Sequence, residues 1–439
     1  LAPNILPSWY VCACRAELVL FTMSNLSTMQ LVSNPQAVRA PYPAALQAIM
    51  SIEEARRSRA WLAPWKHLSA EPTPLWSLRY LAAELGLGGV FVKDESKRSD
   101  LGSFKALGAP AALVRLVLRD HPGWDATGVL RGDYRAELNG LVVISATDGN
   151  HGRALAAAAE SAGVRCVIVL HQHVSAEREQ AIAAFGAEIV RIAGNYDDSV
   201  THAALLAEAN GWRVVSDTSY PGYEEIPRDV MQGYGTLVDE LSEQINETNA
   251  VAEPFTHVLL QGGVGGMAAG VASYLWEQWG EHRPTFIVVE PQQADCLMQS
   301  ALTGVASNAT GSVDSLMAGL ACGATSPLAW RFLAPSVDFF LTIEDEQAVE
   351  AMRLLADGAM GDRPIVSGES GAAGLAGVLA LARSNSFRQR VGWDRNTRVL
   401  VVNTEGATAP SVYQELVGRS AEEVLEAQRC WQSAGLPTA

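Results

Sequence analysis

The sequence predicts an α/β protein built from two doubly wound parallel sheets. Three observations predict it. Strand-like and helix-like segments alternate with short turns from GGVFVKDES, beginning at Gly88, to WRVVSDTS, beginning at Trp212. A second alternating series begins near Thr256 and ends in RVLVVNTEGA. The chain has 439 residues, 48% of them hydrophobic, which is ample for a core of this size.

Each element follows from local chemistry. From about Ala45 to Gly86 the pattern is mostly helical, and Pro72 and Pro74 force an extended connector within it. GGVFVKDES reads as a short buried strand. The loop SDLGS follows, and FKALGAPAALVRLVL continues as an apolar-striped helix, so Lys105 falls near a helix N-terminus. LVVISATDGNHGRALAAAAESAG is a β-branched strand, a glycine-containing turn and an alanine-rich helix. VRCVIVL and AEIVRI are strands, and SAEREQAIAAFG and YDDSVTHAALLAEAN are helices. Asp197 and Asp198 are expected to precede the latter helix as its N-terminal caps. Polar residues from Ser242 to Pro254 suggest a solvated connection to the second series. There, HVLLQGGVGGMAAGVASYLWEQWG is strand, glycine loop and helix, PTFIVVEP is a strand, and SGESGAAGLAGVLALAR is a glycine-rich turn into a helix.

Charge and cysteine usage narrow the function. A net charge of −16 argues against nucleic acid and anionic membranes as partners. Six cysteines do not make a disulfide framework, and Cys12 and Cys14 lack the second pair or histidine cluster of a metal site, so no metal is expected. Residues 1–38 are expected to form a variable tail; they lack the basic start and long apolar run of a signal peptide. No stretch approaches 18 uninterrupted apolar residues, and a cytoplasmic setting is the expectation.

Four stretches carry chemistry. In SDLGSFKALGA, Lys105 sits between Phe104 and small apolar residues. Burial would lower its amine below the ordinary range and suit it to attack an aldehyde; the alternative is a lysine whose stem packs while its head reaches water. In QGGVGGMAAG, Gly262, Gly263, Gly265 and Gly266 flank Val264 between a strand and a helix. Their amides can curl around an anion at the helix start. The loop lacks the lysine of a nucleotide-binding P-loop and the G-x-G-x-x-G spacing, which favours a phosphate monoester. In ATDGNHG, Asn150 offers an amide and Asp148 a carboxylate, or the two serve turn and cap. His151, His171 and His173 read as structural. Asp217 ends a strand where parallel sheets place function, and Thr404 in VVNTEGA offers a late hydroxyl.

Together these parts, in this order, resemble the tryptophan synthase β-subunit-like, or fold type II, pyridoxal 5′-phosphate enzymes, and within them the diaminopropionate ammonia-lyase family. The resemblance runs from about Pro72 to Tyr413 and rests on KDESKRSDLGSFKALGA, SATDGNHGRALA, NYDDSV, DTSYPGYEEIPRDVMQGYGTL, VEPQQADCLMQS, SLMAGLACG, SGESGAAGL and NTEGAT. Its distinguishing mark is Asp148, where related hydroxy-amino acid dehydratases carry serine.

The resemblance implies that Lys105, beside Phe104, is the Schiff-base lysine. It implies that Asn150 contacts the cofactor's phenolic oxygen, that Gly262 to Gly266 hold its phosphate and that Thr404 meets the ring nitrogen. Asp148 and Asp217 become the acidic residues of the substrate site. The implied reaction is α,β-elimination of 2,3-diaminopropionate, via aminoacrylate, to pyruvate and ammonia. The alternative is a serine or threonine dehydratase, or a β-replacement synthase on another small amino acid. The implied architecture is a large cofactor domain from residues 39–118 and 235–439 and a small domain from 119–234, with the site in the cleft between them and the chain forming a homodimer. Ser99 and Asp100 before the lysine, the glycine-richness of the phosphate loop and Ala409 in NTEGATAP depart from the family pattern.

Overall fold

In the computed structural model the described residues are 29–147, 149–247 and 255–433. Asp148, Cys12 and Cys14 lie outside them. Among the described residues, eleven strands form two sheets. They are β1 (Leu31–Ser33), β2 (Leu75–Ser77), β3 (Gly89–Asp94), β4 (Val142–Ala146), β5 (Arg165–His171), β6 (Glu188–Ile192), β7 (Arg213–Val214), β8 (His257–Gln261), β9 (Thr285–Pro291), β10 (Phe339–Ile343) and β11 (Arg398–Asn403).

The small sheet has the order β6-β5-β4-β7 and is parallel throughout. Its strands are the β-branched runs between the helices Asn150–Ala162, Ala176–Ala183 and Tyr196–Asn210. The last of these is capped by Asn195, whose side chain accepts from Asp198 N while Asp198 returns the bond. Asp197 and Asp198 are therefore not the caps expected but the second and third residues of the helix, two and three positions after the cap.

The large sheet has the order β1-β10-β9-β8-β11-β3-β2. Its five central strands are parallel, and β1 and β2 run antiparallel at the two edges. The alternation of strand and helix shows only the parallel part. β2 emerges from the Pro72–Pro74 connector and returns to β3 through one short helix, with Leu75 opposite Lys93. β1 falls within the stretch expected to be a tail: Leu31 is buried opposite Leu341, and Asn34 Nδ2 then donates to the carbonyls of Ala334 and Val337 at 2.8 and 2.7 Å.

The expected solvated connection also changes. The helix Glu225–Glu247 continues through its first six residues. Ser242 and Ile245 are buried there, and Gln244 Nε2 donates to Thr73 O at 2.9 Å. Polar residues in this stretch answer polar partners instead of water.

The helix Gly108–Asp120 carries the turn containing Lys105. It packs against both Asn150–Ala162 and Glu225–Glu247, so it lies between the helices of the two sheets. Nine of its residues are buried, which the apolar run dictates. A network of buried charges anchors the approach to that turn. Arg98 donates to Glu240 at 2.6 and 2.7 Å and to Glu95 at 2.8 and 2.9 Å, while Lys93 Nζ donates to Thr73 O at 2.7 Å and Gln244 Oε1 at 3.0 Å. Every partner in this network is answered, which such depth requires. Among the described residues no helix is long and apolar enough to cross a membrane.

Candidate active site

One cavity gathers most of the residues singled out by sequence. Phe104, Lys105, Asn150, Asp217, Gly263, Val264, Gly265, Gly266 and Thr404 line it. Gly262 does not. A Cβ there would lie 2.7 Å from both Glu290 Cγ and Val288 Cγ1, so its small size serves packing beneath the loop.

Lys105 lies in the 3₁₀ turn Phe104–Leu107. Its Nζ stands 5.3 Å from the Phe104 ring centre and 6.0 Å from that of Tyr234. Gly108 permits this, because a Cβ there would reach within 2.6 Å of the Tyr234 ring. Nζ forms an ion pair with Asp217 Oδ2. Burial works against the charge on Lys105, but the Asp217 carboxylate outweighs it and holds the amine above its ordinary range. The sign expected from burial alone is therefore reversed. Burial likewise opposes the charge on Asp217, and Lys105 prevails, holding the carboxyl below the usual range.

His151, read from its sequence context as structural, also lines this cavity. It is buried, its Nε2 lies 2.9 Å from Val215 O, and its Nδ1 lies 3.8 Å from Asp217 Oδ2. Burial lowers its pKa below the ordinary range, which favours the neutral ring.

Opposite the lysine, β8 gives way to the glycine loop and the helix Gly266–Trp279. Gly265 is left-handed at φ 100°, ψ −4°, a conformation open to glycine. The helix has no side-chain cap, so its first amides are free for an anion.

Asn150 opens the helix over β4, and its Nδ2 donates to Glu405 Oε2. Glu405 Oε1 accepts from Ser370 N at 3.1 Å. Thr404 follows β11, and its carbonyl accepts from Phe104 N at 3.0 Å. Ser103 and Glu405 form a bridge, and Gly406 N donates to Gly102 O at 2.9 Å. A short ladder thus registers the lysine turn against the end of β11.

Two charged residues at the site, Arg178 and Glu369, escaped the sequence reading, whereas Glu405 stands in the strand-ending VVNTEGA. Arg178, from the helix Ala176–Ala183, pairs with Glu369 of the SGESG turn. This pair joins the small-sheet side to the large-sheet side. Burial, then the nearby Glu405, push the Glu369 carboxyl up to about 7. A glutamate between glycines in SGESG is the one signal that pointed there; Arg178 in SAEREQ reads as ordinary helix surface.

The residues present fit pyridoxal 5′-phosphate. An amine near two aromatic rings, helix-start amides with no side-chain cap, and an amide and a hydroxyl in one cavity match its aldehyde, phosphate and ring. Among the described residues no cluster of His, Cys, Asp and Glu could hold a metal.

Comparison with known proteins agrees with this geometry. Residues 67–405 match the family model described as pyridoxal-phosphate dependent enzyme. A diaminopropionate ammonia-lyase of Salmonella typhimurium is 38% identical over 361 residues, covering 80% of this chain and 89% of that protein. One from Escherichia coli is 40% identical over 350 residues, covering 79% and 87%. The holo crystal structure of the Escherichia coli diaminopropionate ammonia lyase superposes with a TM-score of 0.80 at 35% identity, covering 90% of this chain and 98% of that one. A structure of that enzyme in complex with an aminoacrylate-PLP azomethine reaction intermediate gives a TM-score of 0.78. The chain therefore belongs to the pyridoxal-phosphate dependent enzymes of fold type II and, among them, to the diaminopropionate ammonia-lyase family.

Proposed function

We propose that the protein eliminates ammonia from 2,3-diaminopropionate, giving aminoacrylate that hydrolyses to pyruvate and a second ammonia. The observation that carries this reading is the pairing of Lys105 with Asp217 in the cavity that also holds the glycine loop. Pyridoxal 5′-phosphate, when bound, supplies the electron sink for a carbanion at the substrate α-carbon.

In this reading Lys105 holds the cofactor through its ε-amine and removes the α-proton of the L-substrate. Gly263 to Gly266 bind the phosphate through backbone amides. Phe104 packs beside Lys105, Asn150 takes the phenolic oxygen, and Thr404 meets the ring nitrogen. A neutral hydroxyl there leaves the ring unprotonated, which favours prompt loss of the β-substituent. Asp148 serves the D-substrate as base or steadies the β-ammonium.

Asp217 has a second part, which follows from its burial. With Lys105 committed to the cofactor, a desolvated carboxylate lacks its cation. The β-ammonium of diaminopropionate replaces that cation, and a hydroxy-amino acid supplies none. This favours diaminopropionate over serine and threonine and keeps the leaving amine protonated.

Domain limits near residues 38, 118 and 234 and a homodimer belong to the same reading. The test is to purify the holoenzyme and follow pyruvate from D- and L-2,3-diaminopropionate and from serine. Release from either diaminopropionate isomer far above release from serine supports the assignment. A preference for serine moves the function to a dehydratase, and no pyruvate from any of them moves it to β-replacement.

A further inference from the structure

The proposed reaction gives Tyr234 no role, yet it lines the active-site cavity. It comes from the helix Glu225–Glu247 and is 1% exposed. Two glycines and a ring fix it. A Cβ on Gly108 would lie 2.8 Å from its hydroxyl oxygen, and one on Gly270 would lie 3.2 Å from its Cβ. The Phe104 ring centre stands 4.8 Å from its own. A side chain wedged in this way presents its hydroxyl at one place.

That hydroxyl is buried and has no hydrogen-bond partner among the described residues. A phenylalanine of the same shape would fill the space without leaving a buried polar group unmet. Because the hydroxyl is shut off from solvent, its partner has to come from a neighbouring side chain. Lys105 Nζ lies 6.0 Å from the Tyr234 ring centre. Burial holds the phenol above its ordinary range while the Lys105 charge opposes this, so a neutral hydroxyl stands within reach of the amine.

Asp217, Cys322 and His151 also act on Lys105 or feel its charge. Asp217 is the partner the amine already has. His151 directs Nε2 to Val215 O and Nδ1 towards Asp217. A thiol is a weaker acceptor than a hydroxyl. An amine that Asp217 keeps charged cannot take a proton. To act as a base, it has to leave the carboxylate for a partner that carries no charge.

We propose that Tyr234 is a positioning residue for Lys105: once the amine is released from the cofactor, the Tyr234 oxygen accepts from one of its N–H groups and so aims its lone pair at the substrate α-hydrogen. The lone pair of Nζ then takes that proton as the Cα–H bond breaks, and the electron pair of the bond passes into the electron sink. This rests on the reading of Lys105 as the base for the L-substrate.

The test is Tyr234→Phe, which keeps the ring and removes the hydroxyl. The holoenzyme is read by Tm, by its visible cofactor band and by exchange of the α-proton of L-alanine in deuterium oxide, followed by proton NMR. L-alanine has no β-leaving group, so exchange reads the proton transfer alone. Pyruvate release from L-2,3-diaminopropionate is followed in parallel. The expected variant keeps its band and melts at or above the wild-type Tm. Its exchange rate and kcat fall roughly tenfold to a hundredfold, with KM within about twofold of wild type. Exchange at the wild-type rate overturns the proposal. Slower exchange that comes with a lower Tm or a lost band also overturns it, since the tyrosine then serves packing. A wild type that exchanges but releases no pyruvate overturns the assigned reaction and leaves exchange to decide the role of Tyr234. A wild type that does not exchange overturns the proposal.

Discussion

Replacing Gly265 with alanine tests the phosphate loop as a piece of geometry. The residue sits at φ 100°, ψ −4°, and a Cβ there would lie 2.8 Å from Leu333 Cδ1 and 3.2 Å from Ala329 Cβ and Leu297 Cδ2. The left-handed backbone costs an alanine about 1–2 kcal/mol. Forcing a methyl into filled space adds about 1–3 kcal/mol, with the Leu333 side chain giving way first. Together these give about 2–5 kcal/mol. Unfolding entropy of about 2.1 cal/mol/K per residue over 439 residues is about 0.9 kcal/mol/K. The loss therefore lowers Tm by about 2–5 °C.

Gly266→Ala is the matched control, since a Cβ there meets Asp217 O and Met231 Cγ at 3.5 Å, an ordinary contact. Scanning calorimetry of the cofactor-free forms reads the fold, and titration of the visible cofactor band reads the cradle. Gly265→Ala is expected to lose both Tm and cofactor affinity. Gly266→Ala is expected to keep Tm, because its methyl group meets only ordinary contacts. A Gly265→Ala protein that melts with the wild type refutes the reasoning.

Four further outcomes are expected. Lys105→Ala loses the visible cofactor band, and an unchanged spectrum would remove the lysine from its assigned place. Asp148→Ser lowers pyruvate release from diaminopropionate more than from serine; an equal fall on both would cancel the specificity role of that carboxylate. Glu240→Gln leaves the deeply buried Arg98 with Glu95 as its one carboxylate partner and costs about 3–5 kcal/mol, read as a depressed Tm. Glu369 is an acid raised to about 7 in the folded chain, so its stabilising effect is complete below its ordinary value of 4.5 and is lost as pH rises through about 7. The Tm advantage of wild type over Glu369→Gln is thus expected to shrink between about pH 4.5 and about pH 7, and a constant difference would refute the assigned protonation.

What the sequence made legible and what it hid divide along a physical line. Lys105, Asn150, Asp217 and the glycine loop were visible because each stands at a strand-to-helix junction, where local pattern alone marks function. The antiparallel edges β1 and β2 were hidden, since three residues carry no periodicity of their own. The helix through Ser242–Glu247 was hidden for a different reason. Its polar side chains look solvated until Thr73 and Lys93 arrive from elsewhere in the fold. Arg178 and Glu369 were missed in the same way, because their meaning lies in their pairing with each other. The sign of the Lys105 shift likewise depended on Asp217, which sequence could place at a strand end but not against the amine.

The ladder between the lysine turn and the end of β11 has a consequence for how the protein is made. Phe104 and Thr404 lie 300 residues apart in the chain, yet one donates to the other. A ribosome adds about 5–20 residues per second, so many seconds separate their synthesis. The β2–β3 pair, β4 to β7 and their helices can assemble during that interval. The strand that completes the lysine's surroundings arrives among the last. The nascent chain therefore carries its reactive amine for most of its synthesis without the cavity that directs it, and competence for the cofactor appears late and all at once.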